Sequence, residues 1–193
     1  MITQDEDGSF TVRSGDINIF LGIVEEQSKV YTENLEKENL DKSNLGNIIR
    51  INNNQIFPPY ICTLFSALYL EAFIYDYCAR KDSTSLAKTL DKLDPPNKWL
   101  IGTKLINGTG IDSSKKSYQD LKNLFSLRNK LAHSKTKQID MENSDNNIRN
   151  KNFLEPIEYL NIIKEILKEL LLTDENDIYT KLIIHRLEGN ITV

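Results

Sequence analysis

In Leu127-Arg128-Asn129-Lys130-Leu131-Ala132-His133 an arginine and a histidine stand five residues apart. Together these two side chains can cut a phosphodiester without a metal. A guanidinium is a planar, permanent cation that can grip a phosphate and stabilise the charge of a phosphorane. An imidazole, with a reference pKa of about 6.5, takes or gives a proton near neutrality. Attack by the 2'-hydroxyl of RNA on its own phosphate needs one group to accept the hydroxyl proton and another to protonate the leaving 5'-oxygen. Arg128 is therefore the candidate for phosphate charge and His133 for proton transfer. Asn129, four residues before His133, shares its helix face and can orient the ring or the phosphate by hydrogen bonding. The other histidine, His185, lies in an apolar terminal segment and reads as a packed or surface residue. One histidine serves both proton roles poorly, so a two-fold homodimer carrying a second Arg128 and His133 is the expected assembly.

The surrounding residues predict a helix from about Ser117 to His133. At 100° per residue Leu121, Leu124, Phe125, Leu127, Leu131 and Ala132 fill one arc, with Arg128 near its middle. A charge aimed at a core needs a partner. A second predicted helix, Tyr60 to Arg80, supplies one: Leu64, Ala67, Leu68, Ile74, Tyr75 and Cys78 recur at helical spacing, with Glu71 inside the stripe. A Glu71–Arg128 ion pair is the expectation, within a protomer or across a dimer. Losing Glu71 would cost roughly 3–5 kcal/mol if the pair is buried and under about 1 if it is exposed.

Length and composition set the frame for these helices. A chain of 193 residues, 39% hydrophobic and 27% charged, suits one domain spanning 1–193, with a core that needs neither disulfide nor metal. No signal-like N-terminus and no long uncharged apolar run appear, so a cytoplasmic protein away from the membrane is expected. Cys62 and Cys78 fall on one predicted helix, roughly 24 Å apart at 1.5 Å per residue, and read as free buried thiols. With two histidines in the whole chain no metal-ligand cluster is expected, and no cofactor. The net charge of -4 hides an asymmetry: from Lys98 to Lys151 eleven Lys or Arg stand against five Asp or Glu. Positive charge thus gathers around the Arg128–His133 segment, as a phosphate backbone would require. Lys130, Lys135, Lys137, Arg149 and Lys151 are the candidates for following RNA, or else solvated cations of a soluble loop. Asn107-Gly108-Thr109-Gly110 is no phosphate loop, because it lacks the Gly-Lys-Ser/Thr ending.

Along the chain the pattern predicts an all-α, up-and-down helical bundle with additional short helices. Residues 1–15 read as weakly ordered, with one extended piece at Phe10-Thr11-Val12. Asp16 can cap a helix through Ile17, Phe20, Leu21, Val24, Tyr31 and Leu35, continuing towards Leu45, with Glu25, Glu26 and Lys29 facing water. Gly46 and the Asn52–Asn54 run are expected to break the chain before Pro58-Pro59 and the second helix. In that helix Phe65, Tyr69 and Phe73 lie off the main stripe, so it is central or meets a second copy. A short helix capped by Asp82 or Ser83 should end at Pro95-Pro96. Another, from Lys98 to Ile106, should close at the Gly108-Thr109-Gly110 turn. Residues 134–152 read as an exposed loop. Helices from Leu154 to Leu172 and from Asp177 to Leu187, stopped by Gly189, complete the set.

These features resemble the HEPN superfamily (higher eukaryote and prokaryote nucleotide-binding domain). Its signature is an arginine followed by a polar residue, with a histidine about four to six positions further on near a helix end. Arg128, Asn129 and His133 match that signature. Ala67-Leu68 and Glu71-Ala72-Phe73-Ile74 look like the family's first core helix, and Pro96-Asn97-Lys98-Trp99-Leu100 is similar to the middle segment of bacterial members. The resemblance covers about residues 60–172. It implies an α-helical bundle, a homodimer that juxtaposes two motifs, and metal-independent RNA cleavage leaving 2',3'-cyclic phosphate ends. It also implies a toxin or anti-phage defence setting, with an antitoxin or regulatory protein as partner. Other members bind RNA, nucleotide or a protein partner without cleaving, and that is the alternative expectation here.

Overall fold

The computed structural model describes residues 2–4, 10–12, 17–35, 46, 52–133 and 153–191. The fold is all-α. Seven helices are described: α1 (Ile17–Leu35), α2 (Phe57–Lys81), α3 (Thr84–Leu90), α4 (Pro95–Asn107), α5 (Lys116–Ala132), α6 (Pro156–Thr173) and α7 (Ile178–Ile191). Two short antiparallel strands precede them, β1 (Ile2–Gln4) and β2 (Phe10–Val12), with Thr3 opposite Thr11. The extended piece expected at Phe10–Val12 is β2; most of the other residues before α1 lie outside the described ones. So do residues 36–45, towards which α1 was expected to continue.

Both proline pairs start helices, although the second helix was expected only from Tyr60 and Pro95-Pro96 were expected to end one. Pro58-Pro59 occupies the first turn of α2, which is entered through one π-helical turn at Asn52–Ile56. Pro95-Pro96 opens α4 behind Asp94, whose carboxylate accepts the Asn97 N–H. Proline lacks the N–H that a first turn leaves unsatisfied anyway, and its φ is already helical. Ser83 caps α3 by accepting the Leu86 N–H at 3.1 Å, and Glu155 and Glu158 form a reciprocal capping box on α6. Gly108, at φ 74°, ends α4 in the left-handed conformation as expected. Gly189 stops nothing: α7 runs through it to Ile191.

The core is organised on α2, which packs against α1, α3, α4, α5 and α6. Its length and composition would suffice to cross a bilayer, yet other helices cover much of its surface. Phe20 meets Phe65, the Val24 carbonyl faces the Cys62 thiol, and Gln55 donates to the Asn34 carbonyl, so α1 runs antiparallel to α2. Thr63 bonds the Tyr159 hydroxyl at 2.6 Å and Tyr77 approaches Asp174, so α6 runs parallel to α2. The chain returns between them through α3, α4 and α5. Tyr69, Leu70, Phe73, Ile74 and Tyr77 are fully buried, whereas Leu64 is exposed and Leu68 and Tyr75 half-buried. The stripe expected to be core is thus partly the outer edge of α2, and Tyr69 and Phe73, expected off the main stripe, lie deep. A helix apolar all round does not reveal its deepest face by periodicity. Glu25, expected in water, instead receives two bonds from Arg186.

The C-terminal end of α2 carries a buried ion cluster. The Arg80 side chain is 9% exposed and donates to Asp76 at 2.8 Å and to Asp177 at 2.9 Å, Asp177 being 3% exposed. Its guanidinium lies over the rings of Tyr77 and Tyr179. Lys81 adds a bond to Asp174 at 2.6 Å. Burial alone would raise the Asp177 carboxyl, but Arg80 and Thr180 outweigh it and hold its pKa below the ordinary carboxylate value. A depressed carboxyl contributes stability above its unfolded pKa of about 3.9 and loses that contribution as pH falls through the native value. Arg80→Ala, which leaves Asp177 with Lys81 as its cation partner and Thr180 as its hydrogen-bond donor, is expected to cost about 3 kcal/mol in urea denaturation at pH 7. The gap between wild type and Arg80→Ala should narrow below about pH 4.

Both cysteines are free and buried. Burial pushes the Cys62 thiol up to about 12 and the Cys78 thiol up to about 11, so neither is a thiolate at neutral pH. Titration with a coloured disulfide reagent should find neither thiol reactive in the native protein and both reactive in guanidinium.

Candidate functional site

Helix α5 begins in the core and leaves it. Leu121 and Leu124 are fully buried and Phe125 nearly so; Leu127 and Leu131 are half-buried, and Ala132 and His133 exposed. Arg128 follows Leu121 by seven residues and Leu124 by four, so its stem continues the buried face to the margin of the bundle. The sequence placed Arg128 in the middle of a core arc. The structure puts its side chain at 28% exposure, because the last turns of α5 project beyond the packed helices.

There the guanidinium meets Glu71, on the outer edge of α2 with Leu64, Leu68 and Tyr75. One terminal nitrogen of Arg128 (Nη2) donates to Glu71 Oε2 at 3.0 Å, and the other (Nη1) donates to Asn129 Oδ1 at 3.1 Å. The expected Glu71–Arg128 pair is present within one protomer, at the margin of the bundle: the Glu71 side chain is 30% exposed.

Sequence reasoning did not find the third member. Lys98 Nζ donates to Glu71 Oε1 at 3.1 Å and to Asp91 Oδ1 at 2.6 Å. Its side chain is only 4% exposed, and it shares a small crevice with Ile74, Tyr75, Cys78, Ala87 and Leu90. Burial opposes the Lys98 charge, yet the hydrogen bonds from Asp91 and Glu71 outweigh it and keep its pKa above the usual lysine value. The result is a line of alternating charge, Asp91, Lys98, Glu71 and Arg128, running from a solvent-facing turn through a dry crevice to an exposed helix end. A signal for Lys98 was present: it precedes Gly102 by four residues and so lies on the face of α4 that packs closely on α2.

His133 closes α5, its backbone N–H bonding the Asn129 carbonyl at 3.0 Å, and its side chain is exposed. A step of four residues turns a helix by 40° beyond one full turn, so His133 and Asn129 share a face. Lys130 is exposed beside them. The other RNA-following candidates, Lys135, Lys137, Arg149 and Lys151, lie outside the described residues, as does the loop expected over 134–152. His185 is exposed on α7.

The arrangement offers a guanidinium fixed at two points, with donors to spare, and an exposed imidazole one helical turn on from the amide that the guanidinium holds. It can hold a phosphate-sized anion, and it can move a proton. The chain matches no family model, no curated protein and no solved structure. Glu71→Ala is expected to destabilise the fold by about 1–3 kcal/mol, between the exposed and buried limits for an ion pair. It strands Lys98 on Asp91 and frees Arg128. Chemical denaturation of the variant checks this, and a loss below about 0.5 kcal/mol would show that the pair contributes nothing.

Proposed function

We propose that this protein is a metal-independent endoribonuclease of the HEPN type, acting as a homodimer and leaving 2',3'-cyclic phosphate and 5'-hydroxyl ends. The observation that carries this reading is the double attachment of Arg128, to Glu71 and to Asn129, at the exposed end of the helix that bears His133. An arginine serving only structure would turn its donors inward. This one keeps part of its guanidinium open at the helix end that also carries an exposed imidazole.

The outer face of α5 supports the same reading. Asp120, near its start, is paired with Lys116; beyond it the exposed polar residues Lys122, Asn123, Ser126, Asn129, Lys130 and His133 include no carboxylate. A surface of cations, amides and a hydroxyl is what a polyanion meets without repulsion. In the proposed reaction Arg128 neutralises the phosphorane and Asn129 keeps the guanidinium turned towards His133. His133 exchanges the proton of the 2'-hydroxyl or of the leaving 5'-oxygen. A partner's copy of the motif supplies the complementary proton role. Such an activity fits a toxin or anti-phage defence component held in check by a partner protein.

Incubation of the purified protein with total RNA in EDTA tests the proposal. Wild type should cleave and leave cyclic phosphate ends, while His133→Ala and Arg128→Ala should each lose at least about 10²-fold in rate. His133→Ala should keep the wild-type melting temperature. Full activity in His133→Ala would refute the assignment of the histidine, and RNA binding without cleavage by wild type would assign the chain a non-catalytic RNA-binding role.

A further inference from the structure

Lys98 lies behind the site, out of reach of any substrate, yet it shares a carboxylate with Arg128. Arginine and carboxylate ordinarily meet as fork and fork, two parallel N–H donors on two oxygens. Here that geometry is not formed: Lys98 donates to Glu71 Oε1, where its positive charge disfavours a second cation, and Arg128 contacts Oε2 alone. The guanidinium carries five N–H donors, and with one on Glu71 and one on Asn129 three remain. A fork on Glu71 would take a further donor and leave only two for a phosphate.

We infer that Lys98 is a positioning residue, whose ammonium occupies one Glu71 oxygen so that Arg128 stays singly tethered and free to bind an RNA phosphate; the choice of ligand rests on the RNA-cleaving function proposed above. Asp91 anchors Lys98 from the far side at 2.6 Å. The dry crevice around its stem leaves the ammonium little freedom to let go of Glu71.

The inference predicts a reciprocal rescue. In Lys98→Met both Glu71 oxygens are open, Arg128 closes on them as a fork, and phosphate binding falls. In Glu71→Gln the amide has a single oxygen, which Lys98 claims, leaving the amide N–H₂ facing the Arg128 donors; the tether is lost and binding falls again. Combined, the two changes return a single oxygen to Arg128 with no competing donor, which restores one tether.

Affinity for an all-2'-O-methyl RNA oligonucleotide, which cannot undergo 2'-hydroxyl attack, reads this out by fluorescence anisotropy in EDTA at low salt. Each single variant should bind about tenfold more weakly than wild type, and the double variant within about threefold of it. A residue that merely supports the fold gives no such rescue, because losses at a damaged site accumulate. Wild-type affinity in Lys98→Met, or a double variant as weak as the product of the singles, overturns the inference. Should Lys98→Met fail to fold, Glu71→Gln and the double variant decide it: a weakened single with a restored double supports it, and any other result overturns it. If wild type binds no RNA, the proposed function falls. The tether is then judged by a crystal structure of Lys98→Met, in which Arg128 on both Glu71 oxygens supports the inference and Arg128 on one oxygen overturns it.

Discussion

The fold depends on one constraint: α2, 25 residues long, is packed by five other helices, which bury about half of its residues. A charged side chain on the buried part of such a helix must find a partner inside the protein, since a stranded buried charge costs several kcal/mol. Each described charge on α2 obeys this. Asp76 bonds Arg80, Arg80 also bonds Asp177, Lys81 bonds Asp174, and Glu71 takes two cations. The partners outside α2 come from α4, α5 and the α6–α7 connection. Ion pairing on one helix therefore helps to fix where the others sit, while Tyr69, Leu70, Phe73 and Tyr77 supply the apolar contact.

Two charge clusters result, and their settings differ. The one around Arg80 is sealed: its guanidinium is under aromatic rings and its carboxylate partner Asp177 is almost inaccessible. It can hold α7 to α2 but can offer nothing to a ligand. The one around Glu71 begins in a dry crevice at Lys98 and ends in partial exposure at Arg128. A gradient from dry to wet lets the inner charges fix geometry while the outermost keeps its capacity to bind. Preorganised charge at the edge of a low-dielectric region is the arrangement by which proteins stabilise anionic transition states.

Much of this was legible in the sequence, for identifiable reasons. Helix spacing located all seven helices, and it identified Glu71 and Arg128 as opposite charges on two core helices, because a charged residue breaks an apolar stripe visibly. Depth was not legible. Leu64, Leu68 and Tyr75 looked as buried as Tyr69 and Phe73, and only the placement of α1, α4 and α6 decides between them. Pro95-Pro96 misled because the same residue stops a helix in its interior and starts one in its first turn. Lys98 was passed over because a lysine beside a tryptophan in a short helix reads as a solvated charge. Its burial follows from the closeness of α4 to α2, a distance that a lone glycine four residues on signals only once the helix it faces is known.

That distance is set by Gly102. A Cβ at this position would stand 2.9 Å from the Cys78 sulfur and 3.4 Å from Leu90, so α4 rests on α2 with its backbone where a side chain would otherwise be. Lys98 is one turn upstream on the same face, and its ammonium arrives at Glu71 with its full reach from that height. The glycine thus acts as a gauge: the thickness of a single missing methyl is transmitted along one helical turn, through a lysine and a carboxylate, to the aim of an arginine on a different helix.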